Sequence, residues 1–297
     1  MADQHAGHHR LFQKLRRMNT PQIIVIIPVL NSYTLLSHLA QSLLSQTCRH
    51  WQAIIVDGGS DVETIRYLEQ LCAEHQQFHW FQQQERFKGI FGAMNQGLKL
   101  VAANPDWSQA WVLFWGSDDW AASPDVLATV TSHLETMTRA GRHPDLLICR
   151  ARYARVDANG RRILGRRSTF MKLGSYRWSV FLGPTPPHQG TLFGPKVRRR
   201  LPLYAEGFDL SADVDYFLRL SRFADADVEV LPLDLVEMSA GGVSGQRNKQ
   251  RFREVKLAYE RRYGSFWWIS YSLRYGKRAV DAVMGMGNKK SHHQPQT

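Results

Sequence analysis

The chain has 297 residues, enough to bury a large core as one big domain or two small ones. Hydrophobic residues make up 43% and charged residues 22%, ordinary for a globular protein in water, and no run of roughly 18 apolar residues exists to form a transmembrane helix. The formal charge of +12 is not ordinary and points to an anionic partner: nucleic acid, an anionic membrane surface or a phosphate-bearing substrate.

The N-terminal segment to Thr20 is basic and His-rich, with no apolar core of signal-peptide length. "QIIVIIPVLN" then gives a continuous apolar run ending in Pro28 and Asn31, the pattern of a strand buried on both faces. Leu36, Leu39 and Leu43 recur at helical spacing. "WQAIIVDGGSD" predicts a second buried strand and a polar turn, and Ser60 with Glu63 a capping box. Ile65, Leu68 and Leu71 give the next helix its apolar stripe. "FHWFQQ" is a third strand, Phe91, Met94, Leu98 and Val101 outline a helix, and "AWVLFW" is a fourth strand ending at "GSDDW". Ser123 and Pro124 open another helix as cap and first turn. Strand–helix units of this length predict a mostly parallel sheet covered by helices.

The second half is more mixed. "DLLICRARYARVDANGRRIL" predicts two strands joined through Asn159-Gly160, "SADVDYFLRLSRF" a helix and "DVEVLPLDLVEM" a strand. From Gln246 the chain is basic and aromatic, predicting one or two helices and a disordered tail. The boundaries read as a flexible segment 1–20, a main domain 21–245 with halves at about 21–122 and 123–245, and an extension 246–297. Cys48, Cys72 and Cys149 are sparse and without metal-ligand spacing, so reduced thiols on the cytoplasmic side are expected.

Ligands of open α/β sheets sit at the carboxyl ends of strands, where Asp57 and the Asp118-Asp119 pair fall. Adjacent carboxylates repel each other unless a cation or hydrogen-bond donors compensate, which leaves two readings: a hard divalent metal site, or a solvated turn or helix cap. The turn from Asp57 to Asp61 suits hydrogen bonds to a base or ribose but is equally an ordinary turn. "GIFGAMNQG" matches no phosphate-binding loop; its glycines fit close backbone packing as well. Asp213 and Asp215 read as helix-capping carboxylates or, for one of them, a general base. His188 follows a Pro-rich loop and is either structural or a cleft contact.

Taken together, "VIIPVLN", "IIVDGGSD", "KGIFGAMNQGL", "LFWGSDDW", "PPHQGTLF", "ADVDYFLRL" and "GGVS" occur in an order that resembles the family 2 glycosyltransferases, in the bacterial polysaccharide-assembly branch that includes colanic-acid enzymes. The resemblance spans roughly residues 22 to 245. It implies a GT-A, Rossmann-like fold and inverting transfer of a sugar from a nucleoside diphosphate to a glycan or lipid-linked acceptor hydroxyl. It places Asp57 at the base, Pro28 and Asn31 on the nucleotide-pocket wall, and Gly89, Asn95 and Asp118 among the nucleotide-sugar contacts. It makes Asp119 the direct ligand of Mg2+ or Mn2+, Asp213 the catalytic base, and His188 and Gln189 the border between donor and acceptor. Two departures stand out. Phe87 and Gly92 replace the aspartates of "DKGIYDAMNKG", and Ala212 replaces the Glu before the base.

The C-terminal stretch mixes Arg and Lys with Phe266, Trp267, Trp268, Tyr271 and Tyr275. Either it lies on the cytoplasmic face of the inner membrane as a surface helix, suiting a lipid-linked acceptor, or its aromatics pack on the main domain. The rival functions are a sugar-phosphate nucleotidyltransferase, against which the first loop "PVLNSYT" speaks, and a catalytically silent scaffold. No zinc-finger spacing or RNA-recognition aromatic motif is present, so nucleic acid is not the expected partner.

Overall fold

The structure is a computed structural model that describes residues 22–156, 162–239 and 247–275. The N-terminal segment, the Asn159-Gly160 turn, the "GGVS" motif and the tail beyond residue 275 lie outside the described residues.

The chain starts with the predicted alternation: β1 (Ile23–Val29), α1 (Tyr33–Leu44), β2 (Trp51–Asp57), α2 (Val62–Glu74), β3 (Phe78–Gln82), α3 (Gly89–Ala103) and β4 (Trp111–Phe114). β1 pairs in parallel with β2 and with β4, and β2 in parallel with β3. β1 alternates its apolar side chains between two cores. Ile24 and Ile26 join α3 residues Met94 and Leu98 on one face. Ile23, Val25 and Ile27 join Leu36 and Leu39 of α1 and Leu68 of α2 on the other. Burial on both sides explains the unbroken apolar run.

Beyond β4 the sheet turns mixed. β5 (Asp119–Ala121), α4 (Val126–Arg139), β6 (Leu146–Val156), β7 (Arg162–Ser168), α5 (Tyr176–Leu182), β8 (Thr191–Phe193), α6 (Pro195–Arg200), α7 (Ala212–Leu220), β9 (Val228–Ser239) and α8 (Asn248–Tyr263) follow, then a 3₁₀ turn and a helix α9 over 267–275. The strand order is β3-β2-β1-β4-β8-β6-β9-β5, with β7 on β6, so one sheet runs through both halves. β8 is antiparallel to β4 and to β6, whereas β9 runs parallel to β6.

Local sequence signals are corrected at three helix starts. Asp61, not Ser60, caps α2, its carboxylate accepting from the Thr64 N–H at 2.9 Å; the Ser60 hydroxyl is turned to Asp57 instead. α4 begins at Val126, leaving Ser123 and Pro124 in the turn ahead of it. Neither Asp213 nor Asp215 caps α7, because the cap position is Ser211. Asp215 is buried and pairs with Arg219 at 2.7 Å. All three cysteines are free thiols, and burial pushes Cys149 up to about 12.

Candidate active site

The parallel arrangement of β2, β1 and β4 gathers their carboxyl ends on one edge, with Asp57 closing β2, Asn31 following β1 and Asp118-Asp119 following β4. Because β8 runs antiparallel to β4, the residues leading into it, His188 and Gln189, arrive at the same edge. Two contacts fix them there. The Trp115 indole N–H donates to the Gln189 carbonyl at 3.0 Å, and the His188 ring stacks on Phe114 with centroids 5.2 Å apart.

The loops after β1 and β2, which form one wall of this edge, are tied to each other. Asp57 is fully buried, and its carboxylate accepts from the Gly59 N–H at 3.0 Å, the Ser60 N–H at 3.1 Å and the Ser60 hydroxyl. Asn31 sits in the left-handed region at φ 49°, which Asn tolerates better than most residues. Its N–H donates to the Ser60 hydroxyl oxygen at 2.9 Å and its side-chain oxygen accepts from the Asp61 N–H at 2.8 Å. Asp57 and Asn31 therefore shape this wall, with Pro28 behind them in β1 opposite Val56.

Asp118 and Asp119 converge over Gly116. A Cβ on Gly116 would lie 2.6 Å from Asp118 Oδ1 and 3.4 Å from Asp119 Oδ2, and the Gly116 N–H donates to Asp119 Oδ2 at 2.6 Å. Asp119 is only 2% exposed because it opens β5 and is pinned there opposite Met238 of β9. Burial, with the Asp118 charge adding to it, pushes the Asp119 carboxyl well above the usual carboxylate range, against the Gly116 hydrogen bond. Burial also raises Asp118. Among the described residues no Lys or Arg forms an ion pair with either. Two crowded carboxylates lacking a counter-ion suit a hard divalent cation. The described residues hold no cluster of three or more metal-ligating side chains, so phosphate oxygens and water would complete such a shell.

Across the edge, His188 is buried and its Nε2 lies 2.7 Å from the Tyr204 hydroxyl. Burial lowers its pKa, with the charge of Asp213 opposing that shift. The imidazole is thus a neutral, fixed group, and Asp213 is near enough to act on it electrostatically. Asp213 itself is half-buried on the first turn of α7. The segment before that turn is held from a distant part of the chain. Glu254 of α8, 7% exposed, accepts from the N–H groups of Asp209, Leu210 and Ser211 at 3.2, 2.8 and 2.8 Å.

Asn95 is committed elsewhere. Its side-chain amide clamps the Tyr204 backbone, donating to the carbonyl at 3.1 Å and accepting from the N–H at 2.8 Å. Gly89 starts α3 at φ +68°, a conformation that favours glycine, and its carbonyl accepts from the Gln83 amide at 2.9 Å. The two departures at 87 and 92 are one feature in space. A Cβ on Gly92 would lie 2.6 Å from the Phe87 carbonyl carbon, so the backbone at Phe87 occupies the room an aspartate at 92 would need. Gly116, Tyr204 and Glu254 were not singled out from sequence. Gly116 stands directly before the carboxylate pair and carried a readable signal, whereas the other two act over long separations and carried none.

A Rossmann-like sheet with an adjacent carboxylate pair on its carboxyl edge, continued by a mixed half that brings up a further carboxylate, is the GT-A architecture. The chain belongs to glycosyl transferase family 2, whose model matches residues 24–185. It is similar to a PGL/p-HBAD biosynthesis glycosyltransferase of Mycobacterium bovis (strain BCG / Pasteur 1173P2), 31% identical over 117 residues, or 39% of this chain. That match spans 43% of the relative's length. In fold it is similar to Staphylococcus aureus TarS 1-349 in complex with UDP-GlcNAc, with a TM-score of 0.58 and 17% identity over 82% of this chain and 67% of that one. It is also similar to a mannosyltransferase from Pyrobaculum calidifontis in complex with GDP-Man and Mn2+, with a TM-score of 0.57 and 14% identity over 93% and 82%.

Proposed function

We propose that the chain is an inverting glycosyltransferase that moves a sugar from a nucleoside diphosphate to the hydroxyl of a glycan or lipid-linked acceptor, working at the cytoplasmic face of the inner membrane in surface-polysaccharide synthesis. The Asp118-Asp119 pair carries the reading: among the described residues no Lys or Arg pairs with it, and such burial is costly unless a cation and a diphosphate complete the site. Family membership and structural neighbours bound to UDP-GlcNAc or to GDP-Man with Mn2+ support it.

Asp119, assisted by Asp118, would hold Mg2+ or Mn2+, which when bound supplies Lewis-acid and electrostatic stabilisation of charge on the leaving diphosphate. The loops around Asp57, Asn31 and Pro28 orient the nucleotide. Asp213 accepts the proton of the acceptor hydroxyl as that oxygen bonds to the anomeric carbon, and the bond from that carbon to the diphosphate oxygen breaks on the opposite face. His188, fixed by Tyr204, borders the two substrates.

Nucleoside diphosphate release from UDP-, GDP- and dTDP-sugars, assayed with glycan and lipid-extract acceptors, tests the reading. Asp213→Asn is expected to lower acceptor-dependent release by about 10²–10⁴-fold while nucleotide binding persists. Loss of nucleotide binding to the same degree would contradict the base assignment.

A further inference from the structure

Two elements distant in sequence build an exposed apolar face. On α5, Trp178 is 57% and Leu182 41% exposed; at the start of α9, Phe266 is 68% and Trp268 56% exposed. The elements touch. The Ser270 hydroxyl donates to the Phe181 carbonyl at 2.7 Å, and the Phe181 ring packs against both Trp178, at 5.7 Å, and Tyr263, at 5.4 Å. The inward side of α9 is already satisfied: Trp267 and Tyr271 pack on the core, and Ser270 and Arg274 are buried. The exposed aromatics are surplus to the fold, and they lie on two elements that touch.

The charge around them has one sign. Residues 171–183 and 261–275 contain no Asp or Glu; Lys172, Arg177 and Arg261 among them are exposed, whereas Arg274 is turned inward. A file of arginines runs from α5 to the last turn of α8, just ahead of α9. Arg177 donates to the Arg222 carbonyl at 3.2 Å, and Arg222 donates to the Arg261 carbonyl at 2.5 Å. These bonds go to backbone oxygens, so they hold the guanidiniums in place without neutralising them. We propose that the face formed by α5 and the start of α9 docks on an anionic lipid bilayer, with Trp178, Phe266 and Trp268 at headgroup depth and the arginines on lipid phosphates.

Exposed Trp beside uncompensated Arg matches the chemistry of that interface. A second copy fits worse, because a two-fold contact would bring like charges together. Among the described residues no helix is long and apolar enough to cross a membrane. The inference names the docking face for the membrane part of the proposed function and does not depend on the transfer chemistry.

The test is flotation of the full chain with vesicles of phosphatidylcholine alone or mixed with phosphatidylglycerol, with no nucleotide or acceptor present. Binding to the mixed vesicles is expected, falling with added salt, and the combined Trp178→Ser, Phe266→Ser and Trp268→Ser variant is expected to bind at least about tenfold more weakly at an unchanged unfolding temperature. Hydrogen exchange of the unaltered protein gives a second reading, with protection on adding vesicles expected in 176–182 and 264–270. The inference is overturned by equal binding to both vesicle types, by no binding, or by protection confined to other segments. It is overturned equally by a dimer that the triple variant breaks, which would make the face a contact between copies. Failed flotation with intact donor turnover would leave the glycosyltransferase reading standing, and the reverse result would separate the two the other way.

Discussion

Asp119 shows how a single side chain is held at a cost to the fold. Burial and the neighbouring Asp118 charge hold its folded pKa well above the usual carboxylate range, so the native state binds more protons than the unfolded chain between the unfolded and folded pKa values. The contribution of this group to stability therefore falls as pH rises from about 4 through the folded pKa. Asp119→Asn keeps an acceptor for the Gly116 N–H and removes the charge. It is expected to raise the metal-free unfolding temperature at neutral pH by about 2–4 °C for each kcal/mol recovered. The gain should vanish in mild acid, which differential scanning at several pH values would read. Gly92 makes the opposite prediction. Restoring the family's aspartate there should destabilise by about 1–3 kcal/mol, seen as a lower urea midpoint, because the Phe87 backbone leaves no room for a Cβ. The carboxylate pair was legible in sequence because two adjacent acids after an apolar strand have few structural excuses. The commitments of Asn95 and Glu254 were not, since their partners lie 109 residues and 43 to 45 residues away.

At the scale of elements, long strands were legible and short ones were not. β1 and β2 are buried on both faces and so read as continuous apolar runs. β5 and β8, three residues each, are too short to show a period, yet β5 pins Asp119 and β8 delivers His188 and Gln189. Helix starts were misread for a related reason. Ser60 and Ser123 have the right chemistry for caps, but the loop geometry spends Ser60 on Asp57 and leaves Ser123 two residues short of the cap position. The element that most affects the site is α8, whose Glu254 receives three backbone N–H groups ahead of α7. Glu254→Ala would strand those donors, an expected loss of about 1–3 kcal/mol or more in thermal unfolding. Glu254→Gln keeps one acceptor oxygen and should fall in between. The turnover of both variants, measured below their unfolding temperatures, should decline in the same order while nucleotide affinity holds, because α8 fixes the Asp213 side and not the nucleotide wall.

Across the whole molecule, one sheet carries two jobs. Its parallel part lines up loops on a common carboxyl edge, and its mixed continuation turns the second half back toward that edge. The basic character visible in composition resolves in part into the arginines linking α5 to the last turn of α8. In the aromatic C-terminus, for which sequence offered packing or membrane contact, Tyr259 and Tyr271 pack on the core and Phe266 and Trp268 are exposed. The central claim is that the carboxylate pair and the nucleotide wall form one metal-dependent nucleotide-sugar site. The most direct test is thermal unfolding with UDP-, GDP- and dTDP-linked ligands, each in Mn2+, Mg2+ or EDTA. A ligand that binds only the native state stabilises it, by about 2.7 kcal/mol at a hundredfold excess over its Kd. The account predicts a metal-dependent upward shift with one nucleotide class that disappears in Asp119→Ala. A shift of equal size in EDTA, or one that survives Asp119→Ala, would contradict it.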